Sequence, residues 1–261
     1  TAPETGHYET LNSGLFAVLK ETDIINLNAY GCTNETDISP VLQSVFNRVK
    51  VEHIKEIHLH GVECSSFTQV NMHELNSLRT GLIIDFHNSI IKGNGNVFID
   101  ANVDKLFRHI IFRNANLENF STCFVAYNFN YGCILENFET RNCNAFIEAV
   151  NCYFLNIRNI RPQNADDFYS EKSWFDFLGG SNLIRLEQIY VDGGFKSYPY
   201  CIKVRDAEAF YIDSCSIGNT RTDGIAGLFI ESVKCIQISN SYFEGKKTAI
   251  YANGANNTVI I

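Results

Sequence analysis

The residues most suited to chemistry recur about one repeat apart. Five short segments share one alternation: Phe146-Ile-Glu-Ala-Val, Trp174-Phe-Asp-Phe, Cys201-Ile-Lys-Val-Arg, Leu228-Phe-Ile-Glu and Ala249-Ile-Tyr-Ala. With Ile147, Phe175, Ile202, Ile230 and Ile250 turned inward, Glu148, Asp176, Lys203, Glu231 and Tyr251 face outward. Glu148 and Asp176 then form a carboxylate pair on neighbouring strands. Such pairs cleave glycosidic bonds, retaining enzymes at about 5–5.5 Å and inverting ones at about 6.5–9.5 Å. Lys203 suits either a lyase base or an ion partner of Asp176, and Trp174 and Arg205 flank the same face.

Two long loops supply a second cluster. Gln163 to Trp174 carries Asp166, Asp167, Phe168, Tyr169 and Glu171, and Gly193 to Tyr200 carries Phe195, Tyr198 and Tyr200. Long insertions on a repeat protein often mark a binding edge. Aromatic faces beside carboxylates suit sugar rings. Aromatics packed over their own coil, or an intersubunit contact, are the competing readings. The candidate catalytic residues are therefore Asp176 and Glu148, with Asp166 and Asp167 as substitutes. The candidate sugar contacts are Trp174, Tyr169, Tyr198, Tyr200, Lys203 and Arg205. A third set, His60, His87, Arg113, Glu136, Arg158, Glu187, Asp213 and Ser239, alternates in sign from Arg113 to Glu187 and reads as a surface ion-pair ladder.

A repeat positions all of these. In Ile236-Gln-Ile-Ser-Asn-Ser-Tyr-Phe-Glu-Gly245, take Asn240 as an anchor. Equivalent anchors are Gly61, Asn88, Asn114, Asn137, Asn159, Gln188 and Ser214, at intervals of 27, 26, 23, 22, 29, 26 and 26 residues. Apolar residues recur four and two places before each anchor, as in Ile84 and Phe86. From the second coil on, only Gly or Asn stands five places after it. Period-two alternation means strands with one buried face, and a fixed Gly or Asn means a left-handed turn. The pattern predicts an all-β chain: a parallel β-helix of about eight coils over 23–261, with the anchors stacked as a polar ladder. Residues 1–22 read as an irregular lead-in, and 24–31 as a first strand. Residues 39–51 read as an amphipathic helix, with Ser39 as cap and Pro40 at its first position, closing the solenoid's open end.

Composition sets limits. The charge is −8 and charged residues make up 19% of 261, which argues against a nucleic-acid partner. No apolar run is long enough to span a membrane. Nine cysteines without Cys-x-x-Cys spacing read as buried thiols of a chain folded in a reducing cytoplasm. The seven histidines show neither His-x-x-x-His nor His-Glu-x-x-His, so neither metal nor other cofactor is assigned. The first residue is Thr, and Asn257-Thr-Val-Ile-Ile261 starts a coil without finishing it. A trimmed or fragmentary chain is therefore expected, its C-terminal end truncated or covered by a partner.

Asn26-Leu-Asn-Ala-Tyr-Gly31, then Thr36-Asp37, a helix, and a lysine-bearing strand ending in Gly61, resemble the opening of the pectin-lyase-like right-handed β-helix superfamily. The version in bacteriophage tailspikes and polysaccharide-degrading enzymes is the nearest. Here the usual Gly-Asp-Gly opening is shortened to Cys-Thr-Asn-Glu-Thr-Asp. The resemblance implies a right-handed coil, a homotrimer, a bacterial surface polysaccharide as ligand, and a place on a virion tail or outside the cell. Depolymerisation would use two carboxylates. The superfamily also hosts lyases, epimerases and non-catalytic adhesins, so a receptor-binding or structural role stands beside it. Asn219-Thr-Arg-Thr-Asp-Gly-Ile225 resembles part of a polygalacturonase motif, but Lys246-Lys247 stands where that family has paired aspartates.

Overall fold

Every apolar residue four places before an anchor is buried: Ile57, Ile84, Ile110, Cys133, Leu155, Ile184, Phe210 and Ile236. So are those two places before, from Leu59 to Ile238. Stacking one such pair per coil gives a continuous apolar column with no gap between repeats. The computed structural model describes residues 8–10, 16–18, 23–76, 78, 81–164, 168–191, 198–219, 224–245, 247–254 and 259–260. The chain is a parallel β-solenoid of about seven turns with one N-terminal helix. The eight anchors enclose seven intervals, which accounts for the count.

The first sheet runs in chain order from Ile24–Asn26 through Glu56–His58, Leu82–Lys92, Ile110–Glu118, Ile134–Arg141, Asn156–Pro162, Ile184–Val191, Ala209–Asp213 and Cys235–Ser239 to Val259–Ile260. The second runs from Val70–Asn71 through Val97–Asp100, Thr122–Tyr127, Ile147–Val150, Phe175–Leu178, Tyr200–Arg205 and Ala226–Glu231 to Thr248–Asn253. Phenylalanines from both sheets meet between them. Phe124 lies 5.4 Å from Phe112, 5.3 Å from Phe138 and 5.4 Å from Phe146, mostly edge to face.

The left-handed turn sits at the anchor itself. Gly61, Asn88, Asn114, Asn137, Asn159, Gln188, Ser214 and Asn240 all have positive φ, from 49° at Asn240 to 61° at Asn114. Five places later, only Asn119 and Asn142 share that conformation among the described residues. Gly93 is glycine for another reason: a Cβ there would lie 2.5 Å from the Phe120 ring. The expected polar ladder forms over part of the stack. Asn159 donates to Asn137 (2.8 Å), Asn137 to Asn114 (2.9 Å) and Asn114 to the Asp85 carboxylate (2.9 Å). Higher up, Asn240 donates instead to Asp213 (3.1 Å).

Helix α1, Ser39–Glu52, closes the N-terminal end with buried Leu42, Val45, Phe46 and Val49. Its cap differs from the expectation. Ser39 already lies within the helix, and Asp37 accepts from both the Ser39 N–H (3.0 Å) and its hydroxyl (2.7 Å). The segment expected as strand 24–31 is strand only over Ile24–Asn26. It then tightens into a 3-10 helix, Leu27–Tyr30, stopped by left-handed Gly31. Within the lead-in, Tyr8–Thr10 pairs antiparallel with Phe16–Val18. No helix among the described residues is long and apolar enough to cross a membrane. All nine cysteines are free, and eight are buried.

Candidate functional site

The second sheet brings five of the ten candidate residues to one outer face. Glu148 pairs in register with Asp176, and Asp176 with Lys203. The next partner of Lys203 is Phe229, and that of Phe229 is Tyr251. The outward column is thus Glu148, Asp176, Lys203, Phe229, Tyr251. Glu231 lies two places further along, opposite Arg205, and Leu228 rather than Ile230 stacks beside Ile202. The slip arises because the loop before each rung varies in length, so residue spacing alone does not fix where the rung starts.

Each carboxylate has a cation. Glu148 Oε1 accepts from Lys172 Nζ at 2.6 Å and from the Thr122 hydroxyl at 2.9 Å. Arg205 donates to both oxygens of Asp176, at 3.2 and 3.3 Å. Rungs stack at about 4.8 Å, so the two carboxylates are close, but each is compensated by its own partner. Lys203 Nζ sits 5.6 Å above the Tyr200 ring. Tyr200, Phe229 and Tyr251 form an outward aromatic row, with centroids 4.9 and 5.5 Å apart, and Tyr251 is 41% exposed. Burial raises the Tyr200 phenol above its ordinary value, and Tyr251 and Glu231 push the same way.

Two expected sugar contacts are core residues. Trp174 is fully buried between Phe175, Phe146 and Tyr198, with centroids at 4.6, 6.2 and 6.2 Å. Among the described residues its indole N–H has no hydrogen-bond partner. Tyr198 is 1% exposed; its hydroxyl donates to the Cys143 carbonyl (2.6 Å) and accepts from Asn164 (3.1 Å). Burial drives its phenol well above the ordinary value. Phe168 packs towards Tyr198 at 6.5 Å, so the long loop lays these aromatics over its own coil. Tyr169 is exposed. Asp166, Asp167, Phe195 and Asp223 lie outside the described residues.

The first sheet carries the ion-pair ladder. Glu136, nearly buried, accepts from Arg158 Nε at 2.6 Å and lies 4.0 Å from Arg113. Arg113 also donates to buried Asp85 at 2.7 Å. Burial works against the Asp85 carboxylate. The Asn114 amide, the His87 N–H and the Arg113 guanidinium outweigh it and hold its pKa below the ordinary value. The ladder then breaks, because Glu187 pairs with Arg185 of its own strand at 3.1 Å. Beside the break lies an open groove of about 390 Å³, walled by Asn156, Arg158, Arg185, Glu187, Phe154 and Tyr211.

The same face holds three histidines that linear motif spacing does not reveal. His58 and His60 point outward from one coil, and His87 joins them from the next. One ring nitrogen from each lies within 4.8 Å of the other two. Burial holds the His87 imidazole below the ordinary histidine value against the pull of Asp85, and His60, His58 and Arg113 add to the depression. The signal was a period-two His-x-His followed one repeat later by a third histidine.

No model of a known protein family matches the chain, and neither does any curated protein sequence.

Proposed function

We propose that this chain is a polysaccharide-recognising β-solenoid of the phage-tailspike type, and that glycan lies along the outer face of the second sheet. The observation that carries the reading is the row Tyr200, Phe229 and Tyr251 beside Asp176, Lys203 and Arg205. Aromatic faces cover the apolar C–H side of a sugar ring, and flanking charged groups bond its hydroxyls. The rung spacing of about 4.8 Å is close to the length of one pyranose unit, so successive rungs can meet successive sugars. The same reading makes the chain a homotrimer on a virion tail or outside a cell.

Cleavage is the second reading, favoured by the register of Glu148 with Asp176. Their rung separation is nearer the retaining range of about 5–5.5 Å than the inverting one. In that reading one carboxyl protonates the glycosidic oxygen and the other attacks the anomeric carbon. Substrate would first have to displace Lys172 from Glu148 and Arg205 from Asp176.

The test is incubation with a panel of bacterial capsular and O-antigen polysaccharides, following binding, new reducing ends and the absorbance of unsaturated uronic acids. Binding without new ends supports recognition alone. New ends without the absorbance indicate a hydrolase, and both signals a lyase. Absence of binding across the panel contradicts the proposal.

A further inference from the structure

His58, His60 and His87 stand apart from the aromatic face and have an arrangement of their own. His58 and His60 leave the same side of the chain two residues apart, while Ile57 and Leu59 fill the core between them. His87 comes from the next coil, placed by a backbone with φ of 44° that lifts its ring over its neighbours. The three rings are stacked, with centroids 5.6 Å apart for His58 and His60, 4.9 Å for His58 and His87, and 4.0 Å for His60 and His87.

The nitrogens are sorted by direction. His58 Nδ1 faces His87 Nε2 at 2.6 Å. The opposite nitrogens face carboxylates: His58 Nε2 meets Glu56 Oε2 at 2.8 Å, and His87 Nδ1 lies 3.8 Å from Asp85 Oδ1. An outer carboxylate on the far nitrogen is the usual way to fix the tautomer and orientation of a metal-binding imidazole. The two inward nitrogens share one proton in the His58–His87 hydrogen bond, and a metal binding between them would displace it, leaving both as lone-pair donors. Ring stacking and that hydrogen bond alone would not call for the Glu56 carboxylate behind His58.

We propose that His58, His60 and His87 bind one divalent transition-metal ion, with zinc as the first candidate, through His58 Nδ1, His87 Nε2 and one ring nitrogen of His60. Three neutral imidazoles suit zinc, copper or nickel and do not suit calcium or magnesium, which take oxygen donors. Zinc–nitrogen bonds of about 2.0–2.1 Å in a tetrahedron set ligand nitrogens about 3.3 Å apart. The rings now lie nearly parallel, so they must turn to aim their lone pairs at one ion and close by about 1–1.5 Å; His60 is exposed and His87 half-buried, so both can turn. A three-histidine set leaves the fourth tetrahedral position for water or a ligand oxygen. Because the ligands come from two coils, the ion would also tie the first complete coil to the second beside α1. Binding to the folded chain alone raises its stability by mass action.

The experiment uses the untagged chain, stripped with chelator and titrated with zinc chloride by calorimetry. Cobalt(II) replaces zinc in a parallel series read by visible absorption. The expected result is one ion per chain, a tetrahedral cobalt spectrum, and a rise in Tm on adding zinc. His60→Ala and His87→Asn should abolish binding. Both should fold, because His60 is exposed and asparagine accepts the left-handed backbone of position 87. Glu56→Gln should weaken zinc by about 10–100-fold, the usual effect of losing an outer-shell partner. No binding at millimolar zinc overturns the proposal. So does binding that survives in both histidine variants, which would point to other histidines or to Cys235.

Discussion

Replacing Trp174 separates a core role from a sugar-binding role. The ring is fully buried, and a tryptophan removes up to about 250 Å² from water. At about 25 cal/mol per Å² that is about 6 kcal/mol. The unpaired indole N–H offsets about 1–3 kcal/mol of it. Trp174→Ala should therefore cost about 3–5 kcal/mol, the usual range for a buried tryptophan. Trp174→Phe should be nearly neutral: it loses about 1–2 kcal/mol of ring burial and removes an unpaired donor costing about as much. Urea unfolding followed by far-UV circular dichroism reads both. The wild type offers a second readout, because Trp174 is the sole tryptophan. Its emission should be blue-shifted, resist acrylamide and ignore added glycan. A Trp174→Ala variant within about 0.5 kcal/mol of wild type, as for a surface change, that fails to bind glycan would refute the reasoning.

Three further outcomes follow from other parts of the coil. Asn137→Ala should destabilise more than Asn137→Gly by about 1–2 kcal/mol, because both lose the ladder amide but only alanine is strained at φ 59°; equal midpoints in urea would contradict the role of the left-handed anchor. A thiol reagent should label Cys235 in the folded chain and all nine cysteines after unfolding, since burial pushes Cys64, Cys152, Cys201 and Cys215 up to about 12; rapid reaction of several native thiols would contradict the buried columns. Hydroxyls of Ser239 and Ser214 and the Asn240 amide hold the Asp213 carboxyl below its ordinary value. Its stabilising effect is thus complete above about pH 4 and lost as pH falls through the depressed folded value. Ser239→Ala should move the Asp213 titration upward in a carboxyl NMR experiment; an unchanged titration would sink that assignment.

The solenoid was legible because each coil repeats one simple demand, two inward apolar residues before a corner. Ile84 and Phe86 recur as Ile184 and Leu186, and a column of them has one solution. The corner's conformation was less legible, since Gly or Asn occurs at two places per repeat. Gly93 serves ring packing while Asn88 carries the left-handed turn. On the second sheet, Glu148, Asp176 and Lys203 were placed correctly because their flanking residues alternate cleanly. Trp174 was not. It precedes its strand at a corner, where alternation stops and the long loop folds Tyr198 against it. Phe229 was hidden for a related reason: with Ile230 inward, both Phe229 and Glu231 face out, and only the register shows that Phe229 is the one beside Lys203. The histidine group escaped because its members are spread over two coils.

The most direct test of glycan recognition on the second sheet compares polysaccharide binding by the wild type, Tyr251→Ala and Arg185→Ala. Tyr251 belongs to the aromatic row, and Arg185 to the groove on the first sheet. The account predicts at least about tenfold weaker binding for Tyr251→Ala, a loss of about 1.4 kcal/mol, and wild-type affinity for Arg185→Ala. Full affinity in Tyr251→Ala with loss in Arg185→Ala would move the glycan to the groove and contradict it.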